Sequence, residues 1–215
     1  MKRKRISAEA AAELIINGEP LENLDVVSEI HLCNRTINGN IKIKNCLLYG
    51  SLDLINSKIK GCIKMEKVTL SEGAIYLTGA KIGSSIDIKD IFGNYTIIMP
   101  KVETQGDVTI TNASVHSCDN IKINGGDFHL KDIIVKCEEL QLMDTEITMD
   151  EDNQGGGLYL SIAQIRKDTT ISLCRTKANM FWLTFKEVPS HIFVSPENAQ
   201  EIHWAAPTIP LVVIK

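Results

Sequence analysis

Aromatic side chains are scarce in this 215-residue chain: Phe, Trp and Tyr together make up 5% of it. A core with so few rings has to be aliphatic. Isoleucine and leucine supply most of it, with valine behind them, and β-branched residues suit a pleated surface. No stretch reaches the length of a membrane span. The run Ile6 to Ile16 carries Glu9 and Glu13, so it lacks the continuous apolar centre of a secretory signal. The cysteines, Cys33, Cys46, Cys62, Cys118, Cys137 and Cys174, form no CxxC pair and no regular framework. They read as reduced thiols in small core or turn positions, which places the protein in a reducing cytoplasm. Charge of one sign is missing too. The net charge of −4 disfavours nucleic acid as the default partner. The exception is Lys2, Arg3, Lys4 and Arg5, which read as a solvated terminus or as an arm for an anionic surface.

Spacing typical of a metal or cofactor site is also lacking. His31, His116, His129, His191 and His203 are scattered, and Cys118 beside His116 is a single pair, too little for zinc. Gly155 to Gly157 is followed by no Lys-Ser/Thr and no helix, as a phosphate loop would be. The expectation is no metal, no cofactor and no catalytic residue.

What the chain does have is a repeat. Ile37-Asn-Gly39-Asn-Ile41-Lys-Ile43, Leu48-Tyr-Gly50-Ser-Leu52-Asp-Leu54 and Ile59-Lys-Gly61-Cys-Ile63-Lys-Met65 follow one rule: an apolar residue, a glycine turn, then apolar-x-apolar. The pairs Ile30/Leu32, Ile41/Ile43, Leu52/Leu54, Ile63/Met65, Ile75/Leu77, Ile86/Ile88, Ile97/Met99, Val108/Ile110 and Ile121/Ile123 recur about every eleven residues. A second apolar column, Val26, Ile37, Leu48, Ile59, Leu70 and Ile82, precedes the turns. Alternation of this kind means short strands with one buried face. A fixed step with one residue class at one phase means coils stacked in parallel register. Eleven residues are too few for a complete turn with an interior, so each line is half a coil. The predicted fold is all-β: a right-handed parallel β-helix of about 22 residues per coil. Eight or nine coils then make a rod of roughly 40 Å, with odd and even lines on opposite sides.

Ser7 to Asn17 reads as a short N-terminal capping helix. Ser7 is the N-cap, Glu9 sits at the positive end of the dipole, and Asn17-Gly18 is the stop. Its apolar face is predicted from Ala10, Leu14 and Ile6. The organisation is therefore 1–23 as basic arm and capping helix, and 24–215 as β-helix with a loop insertion near 144–157. Beyond that loop, strands resume at Leu158/Leu160, Ile171/Leu173, Leu183/Phe185, Ile192/Val194, Ile202/Trp204 and Leu211/Val213.

The line Leu77-Thr-Gly-Ala-Lys-Ile-Gly-Ser-Ser-Ile-Asp-Ile88 resembles bacterial pentapeptide-repeat-like right-handed β-helix proteins, over roughly Ile37 to Asn124. It departs from strict pentapeptide repeats, because Ala-(Asp or Asn)-Leu quintets are not sustained. Asn38-Gly-Asn-Ile-Lys-Ile43 also resembles bactofilins, polymerising β-helices of bacterial cells. Neither family supplies a catalytic residue.

The outward residue of each pair alternates between sides: Lys42, Lys64, Asp87 and Thr109 on one, Asp53, Tyr76, Ile98 and Lys122 on the other. Neither stripe has one sign, which disfavours DNA mimicry, and both read as solvated mixed faces. Asp150, Glu151 and Asp152, or Asp87 with Asp107, are the only candidates for paired carboxylates, and neither set has the spacing acid/base work requires. The functional expectation is a non-enzymatic protein–protein interaction or scaffold solenoid. The alternatives are a self-assembling bactofilin-like protein and a carbohydrate-active β-helix enzyme. No helix or polar run follows Ile209 to Lys215. Trp204, His203, Leu211 and Val213 are therefore the interface candidates for a homodimer through the C-terminal end.

Overall fold

The computed structural model describes residues 3–119, 121–135, 139–142, 145–148, 156–165, 169–186, 189–196, 202–204 and 211–213. Its architecture follows from one coil. Ile41–Lys44 forms the first side, and the chain bends at Asn45 into Leu47–Leu48. It turns near Gly50 into Leu52–Asp53, bends at Asn56 into Lys58–Ile59, and turns near Gly61 back to Ile63. Ile63 pairs in parallel with Ile41 below it and Ile86 above it. Each eleven-residue line is thus two sides of a four-sided coil, and successive coils stack about 22 residues apart into a parallel β-solenoid of about 8 turns.

The predicted sidedness holds. Ile41, Ile63, Ile86 and Val108 share the first side, and Ile30, Leu52, Ile75 and Ile97 share the third. All nine apolar pairs are buried, as is the second column from Val26 to Ile82. The fourth side forms its own six-stranded sheet, from Thr36–Ile37 to Glu146–Thr148. No described helix is long and apolar enough to cross a membrane.

Two residue types share the turning. Glycine serves close approach: a Cβ on Gly50 would lie 2.7 Å from the Glu29 nitrogen of the coil below. The bends in mid-line belong to asparagine. Asn23, Asn34, Asn45 and Asn56 all have φ between 52 and 56°. Lys67, Gly79, Asp90, Lys101 and Asn112 continue the same series at positive φ. Asparagine enters this left-handed region at less cost than other side chains.

The N-terminal end is closed by two elements. The helix Ala8–Ile16 is capped by Ser7, whose hydroxyl accepts from Ala10 N at 3.2 Å. It stops in a Schellman motif, with Gly18 N donating to Ile15 O at 3.0 Å and Glu19 N to Leu14 O at 2.8 Å. The helix packs on the strands Leu21–Glu22, Ile30–His31 and Thr36–Ile37. Its buried face is Ala8, Ala11 and Ile15, with Leu14 and Ile6 at the rim. That face is rotated from the predicted Ala10/Leu14 stripe, because the coil beneath selects between two overlapping apolar stripes. In the basic arm, Arg3, Lys4 and Arg5 are exposed but ordered, and Lys2 lies outside the described residues. Lys4–Ile6 is a strand paired in parallel with Leu24–Val26. Arg3 Nε donates to Asn45 O at 2.9 Å, and the Arg5 guanidinium lies 5.9 Å from the Tyr49 ring centre. A three-residue strand carrying Lys4 and Arg5 is the kind of short, charged edge that resists further pairing.

The register changes after Val108, which pairs with Phe128. Ser114–Ser117 serves both the second and the third side, and Ile97 pairs with Val115 through a register shift. The turn that separates these sides in earlier coils is absorbed. Ile121 and Ile123 are buried as expected but on the fourth side, where Lys122 stands opposite Glu103 and Glu146. Lys122 therefore does not continue the Asp53, Tyr76, Ile98 column. Likewise Phe181/Leu183, one step earlier than the predicted Leu183/Phe185, pairs with Leu158/Leu160. Within the candidate loop near 144–157, Glu146–Thr148 is a strand of the fourth side, and 149–155 lie outside the described residues.

The asparagine bends make a direct prediction. Asn45→Ala should lower stability by about 1 kcal/mol, the cost of forcing a Cβ residue into the left-handed region, while Asn45→Gly should be close to neutral. Denaturant midpoints of the two variants check this, and equal losses would refute the assignment.

Candidate functional site

The outward column of the first side changes character along the solenoid. It starts charged, with Lys42, Lys64 and Asp87 in register and Lys64 3.9 Å from Asp87. From the fourth line onward it becomes Thr109, His129, Tyr159 and Trp182, each directly opposite the next. Each sits between two inward residues, in Val108/Ile110, Phe128/Leu130, Leu158/Leu160 and Phe181/Leu183, so the pleat itself turns the rings outward. A parallel column two residues on holds Thr111, Lys131, Ser161 and Thr184. Between the columns runs a groove of about 470 Å³, with Leu130 and Leu160 in its floor.

The rings are held in place. The His129 and Tyr159 ring centres are 4.4 Å apart with 12° between planes. His129 Nε2 lies 3.5 Å from Asp127 Oδ2, and the other Asp127 oxygen accepts from Gly157 N at 2.9 Å. Burial pushes the Tyr159 phenol above its ordinary range, and the Asp127 carboxylate adds to the shift. Trp182 is 45% exposed. The lining contains no carboxylate among the described residues.

Asp87 faces outward against Lys64, and Asp107 Oδ1 accepts from Asp127 N at 2.9 Å, a turn bond between coils. They are separate structural groups. Asp150, Glu151 and Asp152 lie outside the described residues. Cys118 is buried while His116 is exposed, and Cys118 lies beyond the end of the strand Ser114–Ser117. Cys33, Cys46, Cys62 and Cys174 are free thiols. Burial raises the Cys46 thiol, whose sulfur donates to Leu21 O and Lys44 O at 3.3 Å. One cluster was not legible from spacing: Glu29, His31 and Asp53 bring ligand-type atoms within 4.8 Å, because His31 stands opposite Asp53 across adjacent coils. One Asp53 oxygen is already taken by Ile55 N at 3.0 Å.

Trp204, Leu211 and Val213 pair opposite Leu183, Ile192 and Val194, and His203 pairs opposite Trp182. The aromatic groove itself was missed in the sequence. Its signal is the middle residue of Phe128-x-Leu130, Leu158-x-Leu160 and Phe181-x-Leu183, and the unequal steps between them hid it. Compared with known proteins, the chain has no match among family models, curated proteins or solved structures.

The site yields a titration. The Tyr159 phenol favours its neutral form in the fold, so its contribution to stability is complete below pH about 10 and is lost as pH rises through the higher folded value. Asp127→Asn should lower the Tyr159 pKa while leaving it above that of a free tyrosine, because burial is the larger cause. Difference absorbance against Tyr159→Phe identifies the band, and an unchanged titration in Asp127→Asn would contradict the geometry.

Proposed function

We propose that the protein is a non-enzymatic binding and scaffold solenoid that meets its partner through its first lateral face. The observation that carries this reading is the switch of one outward column from paired charges to Thr109, His129, Tyr159 and Trp182 along a groove. Concave surfaces with a few rings and several polar groups are the usual form of a binding site. That no described residue of the lining is a carboxylate supports binding over glycoside hydrolysis, which uses a carboxylate pair.

The same reading includes a two-fold dimer through the C-terminal end. Helix Ala8–Ile16 and strand Lys4–Ile6 cover the first coil, which supports a closed dimer over a bactofilin-like filament needing both ends. In the last described coil Trp204, Leu211 and Val213 pair opposite Leu183, Ile192 and Val194, which supports an end-on contact that gathers apolar residues. Dimers of this isologous kind are the commonest closed assembly, and Trp is favoured at their centres.

Two measurements test the proposal. Light scattering at tens of micromolar should give a dimer for the wild type and a monomer for Trp204→Glu; a monomeric wild type ends the dimer. On peptide and glycan arrays the wild type should bind targets that Trp182→Ala loses, with no cleavage products. Cleavage, or identical binding by the variant, would overturn the lateral-face reading.

A further inference from the structure

The groove's lining narrows the kind of partner. It presents rings on one flank, hydroxyls on the other, and one cation. Thr109, Thr111, Ser161 and Thr184 line it, and no described group hydrogen-bonds their side chains. Several buried hydroxyls of the fold are instead taken up by backbone carbonyls. Ser57 Oγ donates to Leu54 O at 2.7 Å, Thr176 Oγ1 to Leu142 O at 2.5 Å and Ser190 Oγ to Thr169 O at 3.0 Å. Lys131 also makes no ion pair among the described residues, whereas Lys44, Lys64 and Lys186 each face a carboxylate at 3.3, 3.9 and 2.9 Å.

The groove runs across the strands, along the solenoid axis, and rises one strand spacing of about 4.8 Å per coil. A pyranose unit of an extended saccharide is of similar length. Small residues open the groove at two places: Thr109 and Thr111 one coil below His129 and Lys131, and Ser161 and Thr184 beside Tyr159 and Trp182. A sugar ring has an apolar C–H surface and a rim of hydroxyls. Tyr and Trp cover the first while offering a polar tip, and the threonine and serine hydroxyls can donate to or accept from the second. An ammonium that faces no carboxylate among the described residues favours an anionic group on the ligand. Nucleic acid is the weaker fit, since its affinity grows with the number of phosphates neutralised and this groove offers one lysine.

Resting on the lateral-face reading above, we propose that the groove between Thr109 and Trp182 binds a linear acidic saccharide without cleaving it. The carboxylate of a uronic acid unit meets Lys131, and a ring lies along Tyr159 and Trp182.

The test is calorimetry with tetramers of galacturonate, mannuronate and glucuronate, and with their methyl esters, which keep the shape and remove the charge. At least one acid tetramer should bind, and its ester should bind about tenfold more weakly, the usual weight of one charged hydrogen bond. Lys131→Gln should reduce acid binding to the level of the ester and leave the ester unchanged. Trp182→Ala should remove both, and Lys64→Gln, on the same side outside the groove, should alter neither. Matched melting temperatures confirm that the variants are folded. Failure of every tetramer to bind, or binding indifferent to Lys131→Gln and Trp182→Ala, overturns the saccharide. Peptides bound on the array in a Trp182-dependent way, with no uronate binding, overturn it and leave the lateral-face reading in place.

Discussion

Every feature of this molecule depends on the hydrogen bonds that run from each coil to the next. Ile41 N donates to Cys62 O at 2.9 Å, Ile63 N to Ser85 O at 3.0 Å, Ile86 N to Asp107 O at 2.8 Å and Val108 N to Asp127 O at 2.9 Å. The ladder pairs backbone groups that would otherwise be buried without partners. It also fixes the distance between coils, so a residue at one phase meets its equivalents directly above and below. Burial then favours aliphatic residues at the inward phase, and the bends have to accept left-handed backbone at Asn23, Asn34, Asn45 and Asn56. Glycine is required where two turns meet with no room for a Cβ, as at Gly50.

The same ladder turns an outward position into a surface column. On a globular surface, bringing several rings into line needs separate elements to converge. Here the pleat and the coil step do it, and His129 and Tyr159 stack because their strands are neighbours. The side chains gain a rigid support, since their strands are anchored by Phe128, Leu130, Leu158 and Leu160 in the core. A preorganised site of this kind has less ordering entropy to lose on binding. Asp127 adds to it by fixing the imidazole on one side and the Gly157 amide on the other.

Much of this was legible in the residues. The pairs from Ile30/Leu32 to Val108/Ile110 carry their own phase, and the helix carries its cap and stop in Ser7 and Asn17-Gly18. The asparagine series at 23, 34, 45 and 56 is equally regular, but the glycines at the neighbouring turns mask its role in the bends. The basic arm misled for a different reason. Its charges suggest solvent, yet Lys4–Ile6 pairs through backbone atoms that composition does not report. Lys122 was placed on the wrong side because a shortened coil after Val108 moves everything behind it.

The sequence by itself determined the unit: the strand alternation, the half-coil of eleven residues, the aliphatic core and the closing helix. These are local properties, set by side-chain period and by the dihedral preferences of single residues. Only the tertiary structure decided which outward residues share a column once the steps became unequal. Thr109, His129, Tyr159 and Trp182 are joined by register alone. Register after an irregular coil is chosen by the packing of Phe128, Leu158 and Phe181 inside, and no fixed spacing in the chain records that choice.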